Sequence, residues 1–296
     1  MEDPKSVLEK NIDILGTSNS AFLAKVIVWA SLLATGITLF FDNVWWKQQV
    51  GTALGVLMIV HGVELQHQAL HNTGFTSRTL NRIVGFFLGL PLFISYAHYK
   101  DRHLHHHQHL GTPLDSEFFQ YSKEKHQNAI SLVSSLLMLP HWVRVGRLIF
   151  AALANRSVGP IHNAKNHPAI RTDYLLFSLA VAALCLAAVG LHNPNWLKVL
   201  FLAFLAAPVH TLIELPEHFG CTGGTDIYRN TRSIRSNRLM TWFTNGNNFH
   251  VEHHLISSVI PERLHILHQR VCPQIVFFNS SYREFVGFLI RHSVKA

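Results

Sequence analysis

The chain alternates between long apolar runs and polar segments, and four of the apolar runs have the length of a membrane crossing. They cover residues 21–41, 49–66, 174–191 and 196–215. A helix needs about 20 predominantly apolar residues to cross the hydrocarbon core of a bilayer. The pattern therefore predicts an all-α integral membrane protein with about four transmembrane helices.

Two further apolar stretches are less suited to crossing. Residues 83–97 are short for a span and contain Pro91, and residues 131–154 are interrupted by Pro140 and Arg144. A mixture of basic and apolar positions is typical of a helix that lies in the membrane interface. We predict that both stretches are interfacial or re-entrant, so that short loops join the four spans into two antiparallel hairpins.

Composition narrows the class of protein. The chain has 22 histidines among 296 residues, with 48% apolar and only 14% charged side chains. Globular domains carry about 25% charged residues, so an ordinary soluble enzyme is disfavoured. The cysteines Cys185, Cys221 and Cys272 are too few and too scattered for a disulfide framework or a thiolate metal site. No internal repeat or long flexible linker divides the sequence, which predicts a single domain over residues 1–296.

The basic residues predict an orientation. Nine lysines and arginines lie in residues 98–171 and nine more in residues 219–296, whereas the opposite loops contain only Lys47 and Lys198. By the positive-inside rule, the basic face is cytoplasmic, with both termini on it. This location is an inner or plasma membrane if the protein is bacterial. The net charge of +8 does not indicate a nucleic-acid partner, because the basic residues lie beside the apolar spans.

Histidines cluster just outside the spans at helical spacing. Positions i, i+3 and i+4 of a helix lie on one face, and the segments HQALH, HLHHH and HVEHH place histidines in this way. A further histidine lies in ELPEHFG after the fourth span. The candidate ligands are His67, His71, His103, His106, His107, His218, His250, His253 and His254. Imidazole suits iron, zinc, copper and nickel, and nine nitrogens exceed the needs of one ion. The sequence therefore predicts a cytoplasmic site for two metal ions.

Neutral imidazoles leave the charge of metal ions uncompensated, so nearby polar groups are expected to orient the ligands or to bridge the ions. The candidates for contacts behind the ligands are Asp115, Glu217 and Asn247. The wider set of available carboxylates is Glu64, Asp101, Asp115, Glu214, Glu217 and Glu252.

Other polar residues receive different interpretations. The remaining histidines are predicted to be surface or satisfied core groups, and His105 points away from the helical face of its cluster. His210 lies inside the fourth span, where an ionisable side chain suggests a role beside the substrate or behind the ligands. The arginines at positions 229, 232, 235 and 238 predict a stripe facing solvent or lipid headgroups, with docking of an electron donor as the alternative.

These clusters resemble the three histidine boxes of the membrane fatty acid desaturase and hydroxylase superfamily. HQALHNTGF resembles the first box, RHLHHHQHLGTPLDSE the second, and TWFTNGNNFHVEHHLISSVIPERLHILH the third with its flanks. ELPEHFG resembles an additional Glu-His-x-Gly element of some branches. The resemblance covers about residues 50–270. Ser257 and Ser258 depart from the pattern, because Phe-Pro is commoner there.

The resemblance implies two iron ions, O2 as co-substrate and an apolar-chain substrate held among the spans. It also implies electrons from a separate carrier, which we expect to be a ferredoxin-like protein or a cytochrome with its reductase. The chain lacks the His-Pro-Gly-Gly stretch of a fused cytochrome domain.

Cleavage of an unactivated C–H bond needs an oxidant that acid–base side chains do not supply. We therefore predict an O2-dependent, non-haem di-iron desaturase that introduces a double bond into an acyl lipid or a similar long-chain substrate. The alternative is a di-iron hydroxylase or monooxygenase of alkyl or amino-acid-derived chains, which the ELPEHFG element favours. A membrane metal-binding or transport protein is more remote, because the spans contain few polar groups.

Overall fold

The computed structural model describes residues 4–119 and 129–293, and these residues are mostly helical. The helices of the first half are α1 (Pro4–Glu9), α2 (Asn19–Phe40), α3 (Trp45–Leu70), α4 (Arg78–Gly89), α5 (Tyr96–His109), α6 (Ala129–Leu136) and α7 (Leu139–Leu153). The second half contains α8 (His167–Gly190), α9 (Lys198–Glu214), α10 (Ile227–Asn230), β1 (Arg232–Ile234), α11 (Arg238–Phe243), α12 (His250–Leu255), α13 (Leu264–Val271), β2 (Phe277–Asn279) and α14 (Tyr282–Ser293).

Helices α2 and α3 form an antiparallel hairpin. The Ser18 hydroxyl caps α2 by accepting a hydrogen bond from the backbone N–H of Ala21, and Asp42 turns the chain by accepting one from Val44 N at 2.9 Å. Glycine lets the two backbones touch, since a Cβ on Gly51 would lie 2.2 Å from the backbone nitrogen of Phe40. The hairpin therefore depends on close helix packing as well as on apolar surface.

The segment at residues 83–97 is a bent pair of helices. Helix α4 and the short turn after it, which contains Pro91, meet α5 at an angle of 98°. The Ser95 hydroxyl starts the new helix by accepting a hydrogen bond from His98 N at 3.1 Å. A similar break separates α6 from α7, whose axes differ by 53°. Each predicted interfacial stretch is thus bent rather than straight.

Three helical segments of the described chain are long and apolar enough to cross a membrane, or up to five if each bent pair is one span. The three are Asn19–Phe40, Ala164–Gly190 and Lys198–Glu217. They correspond to three of the four predicted spans. Helix α3 has 26 residues but is not among them. Its second half carries Glu64, Gln66 and His67, and these side chains are buried against other parts of the protein.

The third histidine cluster rests on a small folded layer. Strands β1 and β2 pair in parallel, with Ser233 opposite Phe278, and α12 packs on β1. A separate apolar cluster joins the N-terminal segment to this layer, because Val7 and Ile14 pack with Val251 and Leu255. The long helices share the main core, which includes Leu65, Leu70, Tyr99, Tyr174, Phe177 and Leu202.

Candidate metal centre

The nine clustered histidines come together from four separate parts of the chain. His67 and His71 lie at the C-terminal end of α3, and His218 follows α9. Helix α5 carries His103, His106 and His107, and α12 carries His250, His253 and His254. They form a first group of five and, beside it, a second group made of two overlapping sets that share His218, one with His106 and His254 and one with His250 and Glu217. Most of the nine are buried.

The first group consists of five imidazoles whose ligand atoms all lie within 4.8 Å of one another: His67, His71, His103, His107 and His253. The Nε2 atom of His103 has three close imidazole neighbours in this group. This nitrogen is 2.8 Å from His67 Nε2, 3.0 Å from His71 Nε2 and 3.0 Å from His107 Nε2.

Hydrogen bonding alone does not explain this spacing. An imidazole nitrogen carries either one N–H or one lone pair, so His103 Nε2 cannot form three such bonds at once. Two nitrogens that each lie about 2.1 Å from one ion, at a right angle, are about 3 Å apart. The residues of the first group therefore fit a metal ion bound by imidazoles.

The second group is built around the third histidine box. His250 Nε2 lies 3.1 Å from His218 Nε2 and 3.0 Å from His254 Nε2. His106 joins His218 and His254, since their ligand atoms are within 4.8 Å of one another. The rings of His107 and His254 stack with centroids 4.1 Å apart, which places the two groups side by side. The pair of groups fits two neighbouring ions.

The outward-facing nitrogens of the second group have fixed partners. His106 Nδ1 lies 2.7 Å from Asp115 Oδ1, and His218 Nδ1 lies 2.9 Å from the carbonyl oxygen of Asn230. His250 Nδ1 lies 3.3 Å from Asn247 Oδ1. When Nδ1 donates its proton to such an oxygen, Nε2 keeps its lone pair for a metal ion.

Burial keeps most of the imidazoles in the form that binds metal, but His106 is an exception, because the nearby carboxylates Glu117 and Asp115 outweigh burial and raise its pKa. Burial lowers the pKa of His218 to about 4, with a further contribution from His106. Burial and the neighbouring histidines also lower the pKa values of His250, His253 and His254 well below the usual range. These side chains are therefore neutral near pH 7, as metal ligation requires.

Buried carboxyl groups lie behind the second group. Glu64, Glu214 and Glu217 adjoin one another between the C-terminal ends of α3 and α9. Asn247 connects them to the histidines, because its amide donates a hydrogen bond to Glu217 Oε1 at 2.5 Å, and that oxygen is 3.3 Å from His250 Nδ1. The candidates Glu217 and Asn247 thus lie together behind one ring.

Other predicted residues lie away from the two groups. Asp101 occupies another face of α5, where it accepts hydrogen bonds from His162 N and Asn163 N. The ring of His105 stacks on that of His162 with centroids 3.6 Å apart. His210 is fully buried beside Phe119, and its Nε2 is 4.0 Å from Glu214 Oε1.

The prediction of an exposed arginine stripe is wrong for one of its four members. Arg232 is only 4% exposed, whereas Arg229, Arg235 and Arg238 are exposed. Arg232 Nη1 donates hydrogen bonds to the carbonyl oxygens of Pro216 and Phe219, which flank His218. The difference arises because β1 carries this position inward.

Two contacts were not predicted from the sequence. Glu117 Oε2 lies 3.0 Å from His106 Nε2, and the sequence placed Glu117 only at the end of the segment that resembles the second box, without a role. Glu252 is fully buried within the third box, where it accepts hydrogen bonds from His268 and from the Ser233 hydroxyl. It thereby ties α12 to β1 and α13, and no spacing signal indicated this pairing.

Comparison with known proteins agrees with the geometry. The sequence model of the fatty acid desaturase family matches residues 43–286. This chain belongs to the fatty acid desaturase family. An acyl-lipid (9-3)-desaturase of Physcomitrium patens is 24% identical over 240 residues, which cover 70% of this chain and 44% of that protein. The chain therefore spans less than half the length of that curated relative.

Membership of the fatty acid desaturase family confirms the resemblance found in the sequence. The match includes all the clustered histidines, since it begins before His67 and ends after His254. The apolar helices and the histidine groups able to hold metal fit this assignment.

Proposed function

We propose that this protein is an O2-dependent di-iron desaturase that introduces a double bond into an acyl lipid or a similar long-chain substrate. The observation that supports this proposal most directly is the pair of adjacent histidine groups in a chain of the fatty acid desaturase family. The nine histidines are its proposed ligands, and Asp115, Glu217 and Asn247 its proposed supports. Neutral nitrogen donors suit iron as well as zinc, copper and nickel, so the family supplies the preference for iron.

Two iron ions with O2 would supply the oxidant for C–H cleavage. Reduction of O2 to two waters would take two hydrogens from the substrate, together with two electrons from the donor and two protons. The residues of the chain hold, orient and shield this centre. His106 and His218 are oriented through Nδ1 by Asp115 and the Asn230 carbonyl. Burial of the ligands limits water at the site, which protects a reactive centre from side reactions.

Aromatic rings that pack beside the ligands support the proposal of an apolar substrate. The Tyr99 ring centroid is 5.3 Å from that of His103 and 5.0 Å from that of Phe118. Phe119 adjoins Phe118 and lies against the buried His210. We propose that an alkyl chain reaches the centre along these rings, with His210 among the residues beside it.

The proposed topology has four crossings in one domain, with both termini and the metal centre in the cytoplasm. Helix α3 would be the second crossing, because 26 residues extend about 39 Å and the helix packs along α2. Its buried polar residues would face protein rather than lipid. Electrons would come from a separate ferredoxin-like or cytochrome-type donor.

Hydroxylation of an alkyl or amino-acid-derived chain is the second candidate. His218, of the Glu-His-x-Gly element, belongs to the second histidine group and so favours it. Desaturation and hydroxylation begin with the same hydrogen abstraction and differ in whether a second hydrogen leaves or oxygen is added. Small differences in substrate placement decide between these outcomes.

Product analysis tests the proposal. The full chain is expressed in a host with mixed lipids, purified, and supplied with O2 and an electron-donor system. Mass spectrometry should find an acyl product that is lighter by two hydrogens, and the product should be absent without O2 and in His253→Ala. A product with one added oxygen would contradict desaturation and show that the protein is a hydroxylase. Metal flux in proteoliposomes without any O2-dependent product would favour a transporter.

A further inference from the structure

The two histidine groups differ in the charge of their donors. Within residues 4–119 and 129–293, the first group contains imidazoles only. Glu117 lies at the second group, with its Oε2 atom 3.0 Å from His106 Nε2 and 3.9 Å from His218 Nε2. Both nitrogens face the second group, because the other nitrogen of each ring is held from behind.

The contact between Glu117 and His106 lacks the geometry of a hydrogen bond. Although the two atoms are 3.0 Å apart, His106 Nε2 has no aligned hydrogen-bond partner in the described part of the chain. The carboxylate oxygen therefore does not lie along an N–H direction of this ring. Two donor atoms that lie side by side at this spacing match neighbouring ligands of one ion, as in the first group.

Glu117 is held in this place by its surroundings. Its Oε1 atom accepts a hydrogen bond from the backbone N–H of Phe118 at 2.8 Å, and its carbonyl oxygen accepts one from Arg102 Nη2 at 3.3 Å. Phe118 is 1% exposed and fixes the segment in the core. One carboxylate oxygen is thus engaged while the other remains directed at the histidines.

We propose that Glu117 is a carboxylate ligand of the metal ion in the second group, so that the two ions have unequal shells. This inference rests on the proposed two-ion centre. The first ion would have imidazole ligands alone, whereas the second would also have one negative charge. A carboxylate offsets part of the charge of a divalent ion at a buried site, and this favours the higher oxidation state of the ion that it binds.

The test compares metal binding in Glu117→Gln with that in the wild-type chain. Each purified full-length protein is loaded with ferrous iron, dialysed against a weak chelator, and measured for iron per chain and by Mössbauer spectroscopy. We expect the wild type to retain two irons with two distinct signals of equal area. Glu117→Gln should bind one of the irons at least about tenfold more weakly and lose the signal of that iron.

Two further variants complete the design. Glu9→Gln changes an exposed carboxylate on α1 and should keep two irons and both signals. Glu117→His replaces the carboxylate by an imidazole, so it should retain two irons while the two signals become more alike. If Glu117→Gln does not fold, the signals of Glu117→His alone test whether Glu117 binds the metal ion.

The outcomes separate this inference from the proposed function. If Glu117→Gln or Glu117→His keeps two irons with both wild-type signals unchanged, Glu117 is not a ligand although the di-iron centre stands. If the wild-type chain itself binds fewer than two irons, the proposed di-iron function fails.

Discussion

A histidine in this centre uses its two nitrogens for different purposes. His106 has Asp115 at Nδ1, and its Nε2 faces the second group. His103 places Nε2 among three other imidazole nitrogens. The outer contact fixes the tautomer and the direction of the ring, so a ligand depends on residues that never touch the ion.

Removal of one grouped histidine should therefore release metal. We expect His106→Ala, His218→Ala or His253→Ala to lower the metal content from two ions per chain to one or fewer, because each removes a nitrogen that no neighbour replaces. The measurement is elemental analysis of purified protein. His105→Ala is the matched control, since its ring stacks on His162 outside both groups and its loss should leave the metal content unchanged. Equal metal content in all four variants would contradict the ligand assignment.

A second residue-scale prediction concerns Arg232. Its guanidinium donates hydrogen bonds to two carbonyl oxygens and lies 5.1 Å from the ring centroid of Phe285 and 5.3 Å from that of Phe288. Arg232→Gln should lower stability by about 2–3 kcal/mol, because buried hydrogen bonds to a charged group are lost. A thermal melt of the purified protein measures the effect. Arg229→Gln should shift stability by at most about 0.5 kcal/mol, since that side chain is exposed, and an equal loss in both variants would refute the role of Arg232.

At the scale of elements, short segments position the site more than the long helices do. Helix α12 has only six residues, and Glu252 anchors it through His268 and Ser233. An isolated helix of this length is unstable in water, so its shape depends on these contacts. Of the other ligands, His67 and His71 lie at the end of α3, His218 follows α9, and three lie along α5.

The hairpin of α2 and α3 offers a test at this scale. Gly51→Ala should destabilise the protein by about 1–3 kcal/mol, because the new methyl group would overlap the backbone of Phe40. Thermal melting in detergent measures the loss. Gly146→Ala in α7 is the control, since its new methyl group meets no atom within 4 Å and alanine stabilises a helix by up to about 1 kcal/mol. If Gly51→Ala is as stable as Gly146→Ala, the close approach of the helices is not required.

For the whole molecule, the proposed topology places the turn after α2 on one side of the membrane and the region of α13 on the other. Asn43 in that turn and Cys272 after α13 are both exposed. In a background with Cys185 and Cys221 replaced by serine, a membrane-impermeant thiol reagent should label Asn43→Cys (with Cys272→Ser) and Cys272 from opposite sides. Sealed vesicles of both orientations provide the measurement. Labelling of both positions from the same side would contradict the number of crossings between them.

The sequence alone predicted the helical, membrane-associated class, the family and the histidines on which the site proposal rests. The reason is local, because 3.6-residue periodicity sets which side chains share a face and apolar length sets which helices suit a bilayer. The family match confirms the resemblance. The bends at 98° and 53° were only partly foreseen, as stretches that prolines and arginines make unsuited to a straight span.

Only the tertiary structure decided how the histidines divide into a group of five and a group with His106, His218, His250 and His254. Along α5 itself, His106 and His107 are neighbours, and the division depends on how α5 lies against α3 and α12. The contact of Glu117 with His106 and the burial of Arg232 were decided in the same way. These distances join residues on separate elements, so the packing of the elements sets them and no periodicity within one segment can.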